Sequence, residues 1–293
     1  MKRIALKIDV DTCRGTLFGV PALIELLQKH NASGSFFFSF GPDSSGREAR
    51  STSLKRYYDR TTRLYGRLLP SPNIGRQCAE LMRQTNALGF ETGLHAWDRV
   101  AWEKTVLQAE NDWIESEMSK ACGAYLEIFA EKAAAHAAAG WRMNRHALRL
   151  TQRLGFTYAS DCRGSHPFIP VIDGEIVACP QIPTTLPTVD EIFALEPGIA
   201  PEQAIERIFQ QSEATDGKHQ VFTLRAELEG IKFIAAFERL IASWKDHGYQ
   251  LVSLADIHAS LEKEALPLHA VNFVETPGRP GLRMTQGPAF LAD

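Results

Sequence analysis

Short apolar runs alternate with longer stretches of helical spacing along this chain, and that rhythm constrains the fold more than any other feature. Candidate strands are Ile4–Ile8, Ser35–Phe40, Glu91–Leu94, Gly140–Arg142, Thr157–Ser160, Val221–Leu224 and Gln250–Ser253. Helical patterns lie between them at Val20–His30, Gly75–Gly89, Val106–Phe129, Ala147–Leu154, Pro201–Glu213 and Ile231–His247. Gly89 and Gly155, each after a leucine, read as helix stops. Strands alternating with helices imply a parallel sheet buried by helices. About seven such units suit a closed or nearly closed α/β barrel, whose chemistry collects at the C-terminal strand ends. The 293 residues fit one such domain, residues 1–263, followed by a peripheral Pro- and Gly-rich tail, residues 264–293.

Composition narrows the function classes. At 44% hydrophobic residues the chain can fill a core, yet no apolar run is long enough to span a bilayer. The N-terminal segment reads as a first strand rather than a signal peptide, so the expected compartment is the cytoplasm. Five scattered cysteines without a C-x-x-C pair fit reduced structural thiols. A net charge of −3 argues against nucleic-acid binding.

One segment breaks the rhythm. Residues 41–73 make a long connection, and long connections are often functional. Within 47–69, Arg47, Arg50, Lys55, Arg56, Arg60, Arg63 and Arg67 face only Glu48 and Asp59, with leucines and tyrosines interleaved. Such a mixture can lie on an anionic membrane surface; a solvated surface helix is the plainer alternative.

Candidate chemistry sits at the predicted strand ends. Asp9 and Asp11 flank Val10, and side chains two apart on a strand point the same way. Paired carboxylates let one bind a metal while the other acts as a base, although D-x-D alone is also what two solvated loop aspartates look like. His95 follows the third strand. Gly140-Trp141-Arg142, Ser160-Asp161-Cys162-Arg163-Gly164 and Phe222-Thr223-Leu224-Arg225-Ala226-Glu227 add charge at three further ends. Five such features on one rim are hard to explain as packing.

These motifs carry a resemblance. Asp9-Val10-Asp11-Thr12 with Arg14-Gly15-Thr16 and Gly19-Val20-Pro21 resembles the first motif of the polysaccharide deacetylase family. The branch it resembles is that of the 4-deoxy-4-formamido-L-arabinose-phosphoundecaprenol deformylases. Phe37-Phe38-Ser39 with Gly41-Pro42-Asp43, Gly93 to Asp98, Ala139 to Arg142, Ser160 to Gly164, and Gln181-Ile182-Pro183 with Thr185 to Thr188 match in family order.

The resemblance implies a deformed (β/α) barrel of about seven strands. It implies that Asp9 is the general base, that Asp11 and His95 hold a divalent metal such as zinc, that Arg142 orients Asp9, and that Asp161 supports the far side of the pocket. The implied reaction removes formate from a formamido sugar on undecaprenyl phosphate. The free amine then masks charge on lipid A and confers resistance to cationic peptides. The implied partner is a lipid-linked sugar phosphate, met at the inner face of the inner membrane.

The sequence departs from the family twice. Arg99 stands where the family has its second metal histidine, and Arg225 where it has its general-acid histidine. A guanidinium has no free lone pair and stays protonated, so it neither ligates zinc nor shuttles a proton near neutrality. His166, just past the fourth motif, is a histidine in position to compensate. Counted together, Asp9, Asp11 and Asp161 against Arg99, Arg142, Arg163 and Arg225 suggest a nearly self-neutralised pocket. The alternative function is therefore a silent homologue that binds a lipid-linked sugar phosphate, since arginine forks suit phosphate.

Overall fold

The computed structural model describes residues 2–48, 57–215, 219–276 and 279–290. Its centre is strand β1, Arg3–Val10, buried from Ile4 onward. The strand's alternation explains the architecture. Ile4, Leu6, Ile8 and Val10 join the apolar layer under the helices, while Ala5 joins a second cluster inside the barrel. Lys7 and Asp9 fall on the inner side with Ala5, because successive side chains point to opposite faces. Burying an amine and a carboxylate on the inner face of a central strand is costly unless each is paired.

The chain winds through α1 (Val20–Lys29), β2 (Ser35–Ser39), α2 (Ile74–Ala87), β3 (Glu91–Ala96), α3 (Arg99–Thr105), α4 (Asn111–Phe129), β4 (Ala135–His136), α5 (Arg145–Arg153) and β5 (Tyr158–Ala159). It continues through β6 (Ile169–Ile172), β7 (Glu175–Ile176), α6 (Val189–Leu195), α7 (Pro201–Ala214), β8 (His219–Arg225), α8 (Ile234–Asp246), β9 (Gln250–Val252), α9 (Leu254–Ala259), β10 (Leu268–Thr276) and β11 (Arg279–Ala289).

Seven strands form one parallel sheet in the order β5-β4-β3-β2-β1-β8, with β9 also on β1. Strand β1 pairs with β8 from Arg3 to Asp9, with β9 through Arg3–Ala5 and with β2 through Lys7–Val10. Residues 180–186 cross the gap between β5 and β8. The Ile182 N–H donates to the Ala159 carbonyl, and the Thr185 and Leu186 N–H groups to that of Val221. An irregular segment thus stands where a regular barrel would place another strand, which makes this a deformed barrel.

Three expectations change. Gly140–Arg142 is not a strand but the end of a tight turn, Ala139–Trp141, with Gly140 at φ 63° and Trp141 at φ 53°. The strand of that repeat is Ala135–His136, four residues earlier. Glycine enters the left-handed region freely, whereas a tryptophan there is held by its surroundings. The helix expected over Val106–Phe129 is interrupted by a turn at Val106–Gln108 before α4. The tail expected to wrap the periphery is instead the β10–β11 hairpin, which extends β6 and β7 into a four-stranded sheet. From the basic insertion, Arg50, Lys55 and Arg56 lie outside the described residues. Its described part turns aromatics inward: Tyr58 is buried, and Tyr57 packs on Phe193 and Phe233.

Candidate active site

The alternation that builds the barrel also aims the polar groups. On β8, Phe222 and Leu224 face the helices, as does Ala226 just beyond it, which leaves Thr223 and Arg225 facing inward. Register places Arg225 directly beside Asp9. On β3, Leu94 and Ala96 face outward and His95 inward. Arg99 is the first residue of α3. The helix begins there because the Asp98 carboxylate accepts a hydrogen bond from the Ala101 N–H at 3.0 Å. Asp9, Asp11, His95, Arg99 and Arg225 are each at most 5% exposed and gather in one buried cluster at the C-terminal strand ends.

Asp11 is its hub. Arg225 donates to Oδ2. His95 Nε2 lies 3.1 Å and Arg99 Nε 3.7 Å from Oδ1. Burial alone would raise the Asp11 pKa, but Arg225 first, then Arg99 and His95, outweigh it and hold the carboxyl well below the usual range. Arg99 is also tied outward, to Glu48 at 3.2 Å and Glu103 at 2.9 Å.

Behind Asp11, Glu227 receives the N–H groups of Asp11 and Thr12 and the Thr12 hydroxyl, at 2.8–3.0 Å. A Cβ on Gly15 would come within 1.9 Å of that carboxylate, so only glycine fits there. Burial, and then the Asp11 charge, push Glu227 up to about 8. Burial does the same to Glu229, which accepts from the Arg225 N–H at 2.8 Å.

Asp9 is held differently from expectation. Its cation is Lys7, with Nζ 3.2 Å from Oδ1. Arg142 instead donates to the Glu103 carbonyl. The left-handed turn at Gly140–Trp141 carries Arg142 there, and a Cβ on Gly281 at the hairpin tip would lie 2.5 Å from its Nη2. Lys7 was legible in principle, since it stands two residues before Asp9 on the same strand face.

Asp161 also serves elsewhere. It accepts from the Ala138 N–H at 2.8 Å and pairs with His136 at 2.6 Å, which clasps the ends of β4 and β5. Arg163 bonds the Leu186 carbonyl at 2.7 Å and approaches Glu191 at 3.5 Å. The charges that meet here are Asp9 and Asp11 against Lys7, Arg99 and Arg225, with Glu48 and Glu103 also on Arg99; Arg142, Asp161 and Arg163 are engaged elsewhere. His166 is exposed, beside His269 rather than Asp11, and compensates for neither lost histidine.

The donor set does not fit a divalent metal at Asp11. Of the implied ligands, Asp11 and His95 remain, and Asp11 is already engaged by two guanidiniums. A dication about 4 Å from one guanidinium meets a repulsion of about 8 kcal/mol at an effective dielectric of about 20. Catalytic zinc normally keeps three protein ligands, and no cluster of three or more His, Cys, Asp or Glu among the described residues is placed to hold a metal. Lys7 Nζ, Asp9 Oδ1, Asp11 Oδ1, both His95 nitrogens and Arg99 Nε are buried without a protein hydrogen bond of good geometry. Lys7 Nζ and Asp9 Oδ1 nonetheless face each other at 3.2 Å, and His95 Nε2 and Asp11 Oδ1 at 3.1 Å. The looser groups are His95 Nδ1, 3.9 Å from Asp9 Oδ1, and Arg99 Nε, 3.7 Å from Asp11 Oδ1, and these are what a polar ligand satisfies.

No family model matches the chain. The probable 4-deoxy-4-formamido-L-arabinose-phosphoundecaprenol deformylase ArnD of Shewanella sediminis is 36% identical over 294 residues, covering 95% of this chain and 93% of the relative. The protein of the same name from Wigglesworthia glossinidia brevipalpis is 31% identical, covering 91% and 96%. Among solved structures, a proposed polysaccharide deacetylase of Mycobacterium smegmatis superposes with a TM-score of 0.68 at 18% identity, over 94% of this chain and 96% of that one.

Proposed function

The chain belongs to the 4-deoxy-4-formamido-L-arabinose-phosphoundecaprenol deformylase family, hydrolases of an amide C–N bond, and from that premise we propose that it acts on the N-formyl group of a 4-formamido-L-arabinose carried on undecaprenyl phosphate. The freed amine would offset negative charge on lipid A and so serve resistance to cationic peptides. The observation that carries the proposal is that Asp9, Asp11 and His95 come together in one buried cluster at neighbouring strand ends.

In this reading Asp9, steadied by Lys7, takes the proton from the attacking water. The formamide oxygen lies toward Arg99, whose Nε, 3.7 Å from Asp11 Oδ1 and without a hydrogen bond of its own, takes up negative charge as the carbonyl is attacked. No step runs through zinc or another metal, because the residues present do not fit one. Position 225 supplies charge but no proton, so the leaving amine takes back the proton that Asp9 removed from water as formate forms, and its expulsion is the step this chain is worst equipped for.

A second reading is favoured by the clamp on Asp11: a silent homologue that holds the same lipid-linked sugar phosphate without cleaving it. Synthetic lipid-linked formamido sugar separates the two. Formate released faster by the native chain than by Asp9→Asn supports hydrolysis. Saturable binding with no such difference supports the silent reading. Absence of both binding and release rejects both.

A substrate with an undecaprenyl tail must be met at a bilayer. No helix among the described residues is long and apolar enough to cross one, so we propose peripheral contact at the inner face of the inner membrane. The turn after β1 and the insertion carry suitable groups: Leu17, Phe18, Leu68 and Leu69 are 39–74% exposed. The Arg14–Asp59 pair, at 3.3 Å, links the turn that carries Phe18 to the insertion.

A further inference from the structure

We propose that Ser39 and Ser160 are the residues that recognise the sugar, each hydrogen-bonding one ring hydroxyl of the substrate with an alcohol group that the free protein leaves unpaired. This rests on the ligand proposed above, and it holds whether that ligand is cleaved or only bound.

Among the described residues, the buried hydroxyls without a hydrogen-bond partner are these two. Ser39 is 1% exposed and Ser160 is fully buried. Native folds leave few such groups unpaired, because each has given up its bonds to water. Strand β2 supplies its own control. Phe36, Phe38 and Phe40 face the helices and Phe37 the barrel interior, so Ser35 and Ser39 share the inner face. At the N-terminal end of the strand, the Ser35 hydroxyl donates to Glu91 and accepts from the Leu254 N–H at 2.7 Å. At the C-terminal end, Ser39 has neither kind of partner.

Strand β5 repeats the pattern. Tyr158 faces inside and Ala159 outside, which turns Ser160 inward. The Ser160 N–H donates to the His136 carbonyl at 2.8 Å and holds the residue in place while its hydroxyl stays unpaired. The inward hydroxyl of Thr223 on β8, by contrast, is paired with that of Thr184 at 2.7 Å.

Both serines belong to the stretch of wall that carries the proposed chemistry. Phe38 pairs with Val10, so Ser39 comes level with Asp11. On its other side the pairing jumps from Leu94 to Ala96, which leaves His95 as the bulged residue next to Ser39. Ser160 lies two strands beyond His95, past Ala137, whose methyl group is all that this side chain adds to the inner wall between them. Three strand steps of about 4.8 Å separate the two serines along the wall, so each takes its own partner. The ligand offers two. Nitrogen at C4 leaves the C5 oxygen to close the ring, and C1 carries the phosphate, so the free hydroxyls are those at C2 and C3. A sugar hydroxyl donates and accepts, as a serine hydroxyl does, and the match is neutral to neutral. The charged groups are left to the formamide.

Calorimetric titration with synthetic 4-formamido-L-arabinose phosphate on a short prenyl chain, and with its 2-deoxy and 3-deoxy analogues, tests this on the full-length chain. Ser39→Ala and Ser160→Ala are each expected to bind the parent sugar about three- to tenfold more weakly than the native chain. Each is expected to match the native chain on one deoxy analogue, whose missing hydroxyl was its partner. Without ligand, each is expected to melt at the native temperature or a few degrees above it, since the hydroxyl removed was unpaired. Native-like binding of the parent sugar by either variant overturns the proposal for that serine. So does a melting temperature lowered by several degrees, which would mean that the hydroxyl is already paired in the free protein. Equal weakening on all three sugars overturns it too, because the loss would not follow a ring hydroxyl. If the native chain binds none of the three, the ligand itself is wrong and this proposal falls with it.

Discussion

Two buried histidine–aspartate pairs stand at the strand ends, and they differ in what surrounds the carboxylate. At Asp11, which His95 approaches at 3.1 Å, Arg225 and Arg99 supply the positive charge. At Asp161, 2.6 Å from His136, the other partners are the Ala138 N–H and the Gln181 side-chain amide. The family resemblance leads one to expect a metal at the first, and there guanidiniums stand against the carboxylate instead. Metal affinity follows free lone pairs and local charge, and both can move while the scaffold stays the same.

The comparison breaks most sharply if the arginines are exchanged. Arg99→His with Arg225→His should gain one equivalent of zinc in the barrel. It should also raise formate release from the lipid-linked sugar by at least about 100-fold, the usual worth of a positioned acid or base. Metal uptake without faster release would show that position 225 does not supply the acid.

Arg225→Ala tests the clamp directly. It leaves the buried Asp11 carboxylate short of its main partner and should cost about 3 kcal/mol in urea unfolding. An unchanged midpoint would mean that Arg225 is not what stabilises the Asp11 charge.

Stability against pH sharpens the contrast between the carboxylates. The Asp11 pKa is depressed in the fold, so its contribution is complete above an unfolded value of about 3.9 and is lost as pH falls below it. Glu227 is raised to about 8, so the folded state binds its proton more tightly. Its effect has the opposite sign: stability declines as pH rises from about 4.3 toward about 8. Melting temperatures of Glu227→Gln should decline less over that window. Parallel curves for the two proteins would remove Glu227 from the account.

The smallest effect concerns the rim. Leu68→Ser with Leu69→Ser should weaken binding to anionic vesicles a few-fold, and added salt should weaken binding of the native chain. Native binding that ignores both would reject the peripheral contact.

Much of the fold was legible because period-two alternation on β1, β3 and β8 is local. Ile4, Leu6, Ile8 and Val10 announce an outward apolar face, and the same rule sends Asp9 and Arg225 inward. Lys7 obeys the same rule and is fully buried against Asp9, although a lysine near an N-terminus usually lies in solvent. The role expected of Arg142 was not legible, because the left-handed turn at Gly140–Trp141 redirects it toward Glu103. Asp161 looked like a pocket residue by its place at a strand end, and His136, across the β4–β5 step, captures it.

The sequence by itself determined the barrel, the family and the presence of arginine where two histidines were expected, because each follows from local pattern and side-chain chemistry. Tertiary structure decided which charges meet. Only the folded chain puts Arg225 on Asp11, separated by 214 residues, and Lys7 rather than Arg142 on Asp9. Only the folded chain brings His269 to His166. Ionic and coordination chemistry depend on separations of a few ångströms, and in a closed barrel strand register and hairpin docking set those separations.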